Sequence, residues 1–255
     1  MGEKMAKIVS VHSFRGGTGK SNTTANLSVL LANRGFRVGV VDTDIQSPGI
    51  HVLFNLDEED MQHSLNDYLW GKCEIKDAAH DVTGRIGADI QGKIFLIPSS
   101  IKAGEIVRIL REGYDVGLLN DGFRDLVTGL KLDYLIVDTH PGLDEETLLS
   151  IAVSDVLIII MRPDQQDYQG TAVTVAVARK LDVPNLMLVV NKVPKAFDFD
   201  DVRERVEKTY NSTVVAILPH SDEMMGLASS DIFSLRFPEH EISQGLQKVV
   251  ACLLD

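Results

Sequence analysis

The chain has 255 residues, of which 44% are hydrophobic and 24% charged, and its formal net charge is −12. This size and balance suit one large α/β domain over residues 1–255, and no apolar run approaches the roughly 18 residues of a membrane-spanning helix. The negative charge argues against a surface that coats nucleic acid in general. The two distant cysteines, Cys73 and Cys252, offer no disulfide framework and no metal-binding spacing, so a reducing cytoplasm is the expected location.

The strongest signal lies near the N-terminus, where an apolar run meets a glycine-rich segment. Residues 8–11 predict a strand, residues 14–21 read FRGGTGKS, and residues 25–32 predict a helix. A strand that ends in glycines and restarts as a helix leaves backbone N–H groups free to bind a phosphate. The Lys20 charge can reach the outer phosphates, and the Ser21 hydroxyl can ligate Mg²⁺. A glycine turn without a ligand is the alternative.

Residues 14–21, here called the P-loop, depart from the general pattern GxxxxGK[ST] because Phe14 stands at the first glycine. They resemble the deviant P-loop KGGxGK[ST] of the MinD/ParA family, with Arg15 at the signature lysine. The resemblance implies an ATP-dependent homodimer in which Arg15 reaches the partner's phosphates, and a guanidinium keeps the charge and suits phosphate oxygens. It also implies ATP or ADP with Mg²⁺ as the cofactor, and Lys20 and Arg15 as catalytic residues. The nucleotide contacts that it implies here are Gly16, Gly17, Thr18, Gly19, Lys20, Ser21 and Asn22.

Two acidic residues follow the second predicted strand, residues 36–41. Ligands of open parallel α/β sheets bind outside the carboxyl ends of the strands, so Asp42 and Asp44 are expected beside the P-loop. Residues 42–49 resemble the first switch of the family, which implies that Asp44 positions or activates the attacking water and that Asp42 helps to hold Mg²⁺. A cap of the following short helix is the alternative role for Asp44.

A further apolar strand, residues 132–137, leads into the segment DTHPG at residues 138–142. A buried strand that ends in Asp at the carboxyl edge has the layout of a Walker B carboxylate, so Asp138 is predicted to hold Mg²⁺, usually through water. The segment resembles the second switch of the family, with Gly142 near the γ-phosphate. No chemical role is assigned to His140, because a lone histidine in a loop is more often a surface or hydrogen-bonding residue.

The remaining strands and helices alternate, which predicts a doubly wound, mainly parallel α/β sheet with helices on both faces. The resemblance, which covers essentially the whole chain, implies a P-loop NTPase of the SIMIBI type. The segment NKVP that begins at Asn191 is similar to the NKxD motif by which related GTPases read guanine. Because Pro194 replaces the aspartate, adenine is favoured, with Asn191 as its reader. The family resemblance implies that Pro219 lies beside the base. A turn-forming role is the alternative for Asn191.

Three apolar stripes are expected to pack as helices on the sheet. The first comprises Ile106, Ile109 and Leu110, and the second lies in residues 116–130. The third, near the C-terminus, comprises Ile242, Leu246, Val249, Val250, Leu253 and Leu254. A membrane-binding helix would need a basic face. The face opposite the last stripe carries one basic residue, Lys248, beside acidic residues, so membrane binding is the less expected role.

The resemblance implies a slow ATPase that positions or partitions a cellular cargo through an adaptor or activator protein. Nonspecific DNA binding stays open, although acidic neighbours dilute the basic residues of the second half. These residues are Arg179, Lys180, Lys192, Lys195, Arg203, Arg205, Lys208 and Arg236. One alternative is an ATP-dependent small-molecule kinase or ligase of the same fold, but the irregular segment 56–92 shows no convergent cluster for a substrate. Another is a cluster-carrying ATPase, but Cys73 and Cys252 lie in neither switch.

Overall fold

The computed structural model describes residues 6–87 and 89–254, and eight strands within them form one sheet. The strands are β1 (Lys7–His12), β2 (Arg37–Asp42), β3 (His80–Asp81), β4 (Lys93–Ile97), β5 (Tyr134–Asp138), β6 (Val156–Met161), β7 (Asn185–Val193) and β8 (Val214–Pro219). Their order is β3-β4-β2-β5-β1-β6-β7-β8, and each neighbouring pair is parallel except β3 with β4. The predicted doubly wound, mainly parallel sheet is confirmed.

Helices connect the strands and cover both faces of the sheet. They are α1 (Lys20–Ala32), α2 (Ile50–Leu53), α3 (Leu65–Leu69), α4 (Ala103–Glu112), α5 (Gly117–Gly129), α6 (Glu145–Ala152), α7 (Gln165–Lys180), α8 (Phe199–Tyr210), α9 (Asp222–Leu227), α10 (Phe233–Arg236) and α11 (Glu241–Leu254). No described helix combines the length and the apolar character that a membrane span requires.

The core consists of layers on the two faces of the sheet, because alternate side chains of a strand point in opposite directions. Val9 and Val11 of β1 pack in the layer that contains the α1 and α11 side chains. Leu135 and Val137 of β5 pack on the opposite face, where α5 contributes Phe123. With both faces covered, an inner strand can be apolar throughout, and all six residues of β6 are buried.

The order of the strands brings three chain segments together at one edge of the sheet. The connection after β1 leads to β2 on one side, whereas the connection after β5 leads to β6 on the other side of β1, and this reversal creates the crevice where open α/β sheets bind ligands. In the parallel register, Val11 is the partner of Asp138 and Asp42 is also the partner of Asp138. The carboxyl ends of β1, β2 and β5 therefore converge beside the start of α1.

The α5 stripe packs as expected, whereas the other two stripes each contain one exposed residue, Leu110 in α4 and Leu254 in α11, the latter 37% exposed. In α5, Leu119, Phe123 and Leu126 are buried, and the apolar face of α11 packs against α1 and β8 rather than lying open to solvent. In α4, however, Ile109 is buried whereas Leu110 is 58% exposed. Neighbouring residues of a helix point about 100° apart, so a helix that packs through Ile109 turns Leu110 towards solvent. The prediction that Leu110 contacts the core was wrong.

Candidate functional site

The P-loop turns sharply before α1 and leaves the first turn of the helix open. Gly17 and Gly19 have φ values of +74° and +102°, a backbone region that favours glycine. A Cβ atom at Gly19 would also lie 2.4 Å from the Asn191 Nδ2 atom. Only glycine therefore fits immediately before Lys20, where the N–H groups of the first helical turn have no partner within the helix.

Lys20 is an unusual residue because its charge is buried, with only the longer-range attraction of the Asp138 carboxylate to offset it among the described residues. Its exposed fraction is 7%, and its ammonium group makes no hydrogen bond or ion pair within the part of the chain that the structure describes. It lines a cavity of about 420 Å³ together with Ser21, Asp44 and His140, which we call the P-loop cavity. A buried cation is costly unless it is paired, so this cavity suits a bound anion such as a phosphate.

Two carboxylates lie buried beside this cavity at the ends of β2 and β5. Asp42 and Asp138 are each 1% exposed. Asp138 accepts a hydrogen bond of 3.1 Å from Thr24 Oγ1, and the nearby Ser21 hydroxyl also favours its charged form, which lowers its pKa. Asp42 accepts backbone hydrogen bonds from Asp44, at 3.0 Å, and from Gly49, at 3.3 Å.

Burial changes the titration of both groups. It raises the pKa of Asp138 to about 6, and burial together with the nearby Asp138 charge raises the pKa of Asp42 well above its usual range. The hydroxyl and carboxylate oxygens of Ser21, Asp42 and Asp138 are hard ligands of the kind that Mg²⁺ binds, directly or through water. A divalent cation at this position would also relieve the repulsion between the two carboxylates.

The variant Asp138→Asn is expected to stabilise the nucleotide-free protein. Because folding raises the pKa of Asp138, the protonated carboxyl group contributes favourably to the free energy of unfolding. This contribution is complete below pH about 4 and is lost as the pH rises through about 6. Removing the charge should therefore raise the free energy of unfolding at pH 7.5 by about 1–3 kcal/mol. Thermal unfolding at pH 7.5 and pH 5 measures this gain, which should shrink at pH 5.

The exposed Asp121→Asn is the matched control for this variant and should have no effect at either pH. A lower melting temperature for Asp138→Asn at pH 7.5 would contradict the expectation, because it would mean that the charged form of Asp138 stabilises the fold without a metal.

Asp44 lies in the loop after β2, and its carboxylate contacts two other residues of the site. Its Oδ1 atom accepts a hydrogen bond of 3.0 Å from the Ser47 backbone N–H within a turn. The N-cap of α2 is Gly49, so Asp44 does not cap that helix, and this alternative was wrong. The Asp44 Oδ1 atom also lies 2.8 Å from His140 Nδ1. Both side chains line the P-loop cavity. Sequence analysis left His140 without a role, since nothing near it in the chain indicates a contact with a residue 96 positions away.

Arg15 points away from the P-loop cavity and towards α7. Its Nη1 atom lies 3.5 Å from Asp164 Oδ1 and 3.3 Å from Asp167 Oδ1. Asp164 is the N-cap of α7, and the Asp167 side chain is only 3% exposed and is also paired with Arg162. The guanidinium is therefore held by carboxylates of its own chain, although its side chain remains 38% exposed.

A second cavity, of about 460 Å³, adjoins the first and extends towards β8. This β8 cavity shares Gly19, Asn22, Lys192 and Ser229 with the P-loop cavity. Asn191 and Pro219 line it, and its other walls are mostly apolar. The apolar side chains are Leu218, Met224, Met225, Ala228, Ile242 and Leu246. A charged pocket thus continues into an apolar one, as the phosphates and base of a nucleotide require.

Two residues at the end of β7 hold the P-loop backbone. Asn191 Nδ2 donates to the Thr18 carbonyl at 2.8 Å, and Lys192 Nζ donates to the Gly17 carbonyl at 2.8 Å. The Thr18 hydroxyl is buried and has no hydrogen-bond partner within the described residues, so a ligand could engage it. Sequence analysis counted Lys192 with the basic residues available for DNA, and that grouping was wrong because β7 ends directly at the P-loop.

Two other residues of that basic group are also engaged within the chain. Arg179 donates to the Asn211 carbonyl at 2.9 Å, and Arg203 donates to the Val214 carbonyl. Their guanidinium groups donate hydrogen bonds to backbone carbonyls of the connection between α8 and β8 and of the start of β8. These N–H donors are therefore not available to the phosphates of a nucleic acid. The two cysteines are free and half-buried, and neither lines the cavities described above.

Comparisons with known proteins agree with this geometry. A family model described as an AAA domain, AAA_31, matches residues 6–190. An uncharacterized ATP-binding protein of Methanocaldococcus jannaschii is 27% identical over 98% of this chain and 88% of its own length. The flagellum site-determining protein YlxH of Helicobacter pylori is 26% identical over 84% of this chain and 67% of its own length.

The same fold occurs in a solved structure. The septum site-determining protein MinD of Pyrococcus horikoshii, solved with Mg-ADP, superposes with a TM-score of 0.80 at 21% identity and covers 98% of this chain and 96% of its own. The model match over residues 6–190, the P-loop geometry and this fold lead to one assignment. The chain belongs to the AAA_31 family, described as an AAA domain, and has the fold of the MinD/ParA P-loop NTPases.

Proposed function

We propose that this chain is a molecular switch that binds and hydrolyses ATP, forms a homodimer with ATP and positions or partitions a cellular cargo through a partner protein. The observation that carries the proposal is the buried, unpaired Lys20 ammonium in a cavity beside the carboxylates of Asp42, Asp44 and Asp138. This arrangement suits a magnesium nucleotide, because phosphates would neutralise the lysine and the metal would neutralise the carboxylates.

The residues of the site have separable tasks in this proposal. Lys20 and the N–H groups at the start of α1 bind phosphate oxygens, while Ser21, Asp42 and Asp138 hold Mg²⁺. Magnesium ATP, when bound, supplies the phosphoanhydride bond that is broken. Asp44 accepts a proton from the attacking water at a carboxylate oxygen.

Base recognition is assigned to Asn191 and Pro219 in the β8 cavity. The Asn191 amide donates one hydrogen to Thr18, and its oxygen accepts from the Lys192 N–H. A primary amide has two hydrogens and two lone pairs, so one of each remains for the edge of adenine.

The cellular role that we propose, the positioning of a cargo, is based on the names of two similar proteins. The names of YlxH and MinD describe the choice of a flagellum site and of a septum site. A switch of this kind needs an adaptor or activator protein that responds to its dimer. The free thiols of Cys73 and Cys252 fit a reducing cytoplasm as the place where this happens.

The dimer is tested by the molar mass of the protein and of its variant Arg15→Ala. Wild-type protein is expected to double its mass with a nonhydrolysable ATP analogue and Mg²⁺, and to remain a monomer with ADP. Arg15→Ala should bind ADP normally, because Arg15 lies outside the lining of the P-loop cavity, yet form less dimer. An exposed guanidinium can exchange Asp164 and Asp167 for a partner's phosphates. Light scattering gives the masses.

Arg15→Lys is the matched control, since it keeps the charge, and it should dimerise. Equal dimer populations in wild type and Arg15→Ala would remove Arg15 from the interface. A wild-type monomer in every nucleotide state would reject the switch and favour the small-molecule kinase or ligase.

A further inference from the structure

We infer that His140 positions the Asp44 carboxylate for proton transfer, a role that rests on the proposed function and adds a residue to it. The two side chains meet at 2.8 Å, and their exposed fractions are 20% for His140 and 17% for Asp44. A carboxylate oxygen only accepts hydrogen bonds, so His140 Nδ1 carries a proton and donates it to Asp44 Oδ1. Both residues line the P-loop cavity with Lys20.

The backbone around His140 is attached to the central part of the fold. The Thr139 N–H donates to the Val11 carbonyl at 3.2 Å, and the Gly142 N–H donates to the Ser13 carbonyl at 3.3 Å. The Thr147 hydroxyl, in the first turn of α6, donates to the His140 carbonyl at 3.4 Å. Hydrogen bonds therefore hold the segment on both sides of His140, and the sheet and α6 set the position of the imidazole.

The Asp44 carboxylate is oriented through one of its two oxygens. Oδ1 accepts from both the Ser47 N–H and His140 Nδ1, whereas Oδ2 makes no hydrogen bond within residues 6–87 and 89–254. Two donors at one oxygen restrict rotation of the carboxylate, so Oδ2 keeps a defined place for a water proton. General-base catalysis depends on such placement, and a misplacement of about 1 Å can cost about 100-fold in rate.

The contact also joins the two segments expected to respond to the nucleotide. Asp44 belongs to residues 42–49 and His140 to residues 138–142. Through their hydrogen bond, a movement of the segment 138–142 would change the position of the Asp44 carboxylate. His140 is thus a positioning residue, and its role would be absent from a chain with an apolar residue at this place.

Three variants of the full-length protein separate positioning from folding. His140→Ala removes the donor, while His140→Asn offers an amide N–H near the position of Nδ1. His140→Ala should lower kcat for ATP hydrolysis by about 10- to 100-fold, as expected when the partner that orients a functional group is lost. KM and the affinity for ADP should not change, and His140→Asn should recover most of the rate. His63→Asn is the matched control and should hydrolyse ATP normally.

A double-mutant comparison completes the test. In the Asp44→Asn background, His140→Ala should cause no further loss, because a positioning residue acts only through the group that it positions. A normal rate in His140→Ala, with activity lost in Asp44→Ala, would overturn this inference and leave the proposed function standing. A normal rate in Asp44→Ala would overturn the proposed function itself. Weaker ATP binding by His140→Ala with an unchanged kcat would overturn positioning, and so would a failure of His140→Asn to recover activity.

Discussion

Asp44→Ala is expected to abolish most ATP hydrolysis while ATP binding persists. A positioned general base contributes about 100- to 10,000-fold to a rate, and Asp44 is the carboxylate of the P-loop cavity that is not already buried against Asp138. Lys20 and Ser21 remain in place in the variant, so the nucleotide should still bind. With hydrolysis blocked, the ATP-bound dimer should accumulate. Phosphate release measures the rate, and light scattering with ATP and Mg²⁺ measures the dimer.

The structure shows why alanine alone is an incomplete test of Asp44. Alanine also removes the acceptor for the Ser47 N–H, and loss of a hydrogen bond costs about 0.5–1.5 kcal/mol of stability. Asp44→Asn keeps an acceptor oxygen there but has no carboxylate to take up a proton. Both variants should lose hydrolysis, and Asp44→Asn should unfold at nearly the wild-type temperature. Hydrolysis at the normal rate in Asp44→Asn would leave Asp44 with only its structural role.

Lys20→Ala is expected to weaken the binding of both ATP and ADP by about 100-fold or more, since charge-assisted hydrogen bonds to phosphate are strong and each 1.4 kcal/mol is tenfold in affinity. The same change should alter the stability of the nucleotide-free protein only slightly. It removes a costly cation that is 7% exposed and makes no hydrogen bond or close ion pair among the described residues, but it also removes an attraction to the Asp138 carboxylate. Calorimetric titration measures the affinity, and thermal unfolding measures the stability.

Lys20→Met is the matched variant, because it retains the length of the side chain without its charge. It should bind nucleotide as weakly as Lys20→Ala. Unchanged affinity in both variants would show that the P-loop cavity is not a phosphate site. Weak binding by Lys20→Ala alone would assign the effect to packing rather than to charge.

Much of this protein can be predicted from short stretches of its sequence. The alternation of apolar strands with helices predicts the parallel sheet, and such a sheet places every strand end on one edge. That rule alone brings Asp42, Asp44 and Asp138 to the P-loop, and the GTGKS run identifies Lys20 and Ser21. These predictions succeed because a residue's place at the end of a strand, or at the start of a helix, is a local property of the chain.

Tertiary structure alone decided which side chains touch. Asp44 meets His140, Arg15 meets Asp164 and Asp167, and Lys192 meets the Gly17 carbonyl, although 96 to 175 positions separate the partners. The direction in which Leu110 points was likewise settled by how α4 packs. Such contacts depend on the strand order, on the register of the strands and on side-chain rotamers. The local pattern of apolar and polar residues does not predict these three properties. The sequence determined the fold and the charges of the site, whereas packing determined their partners.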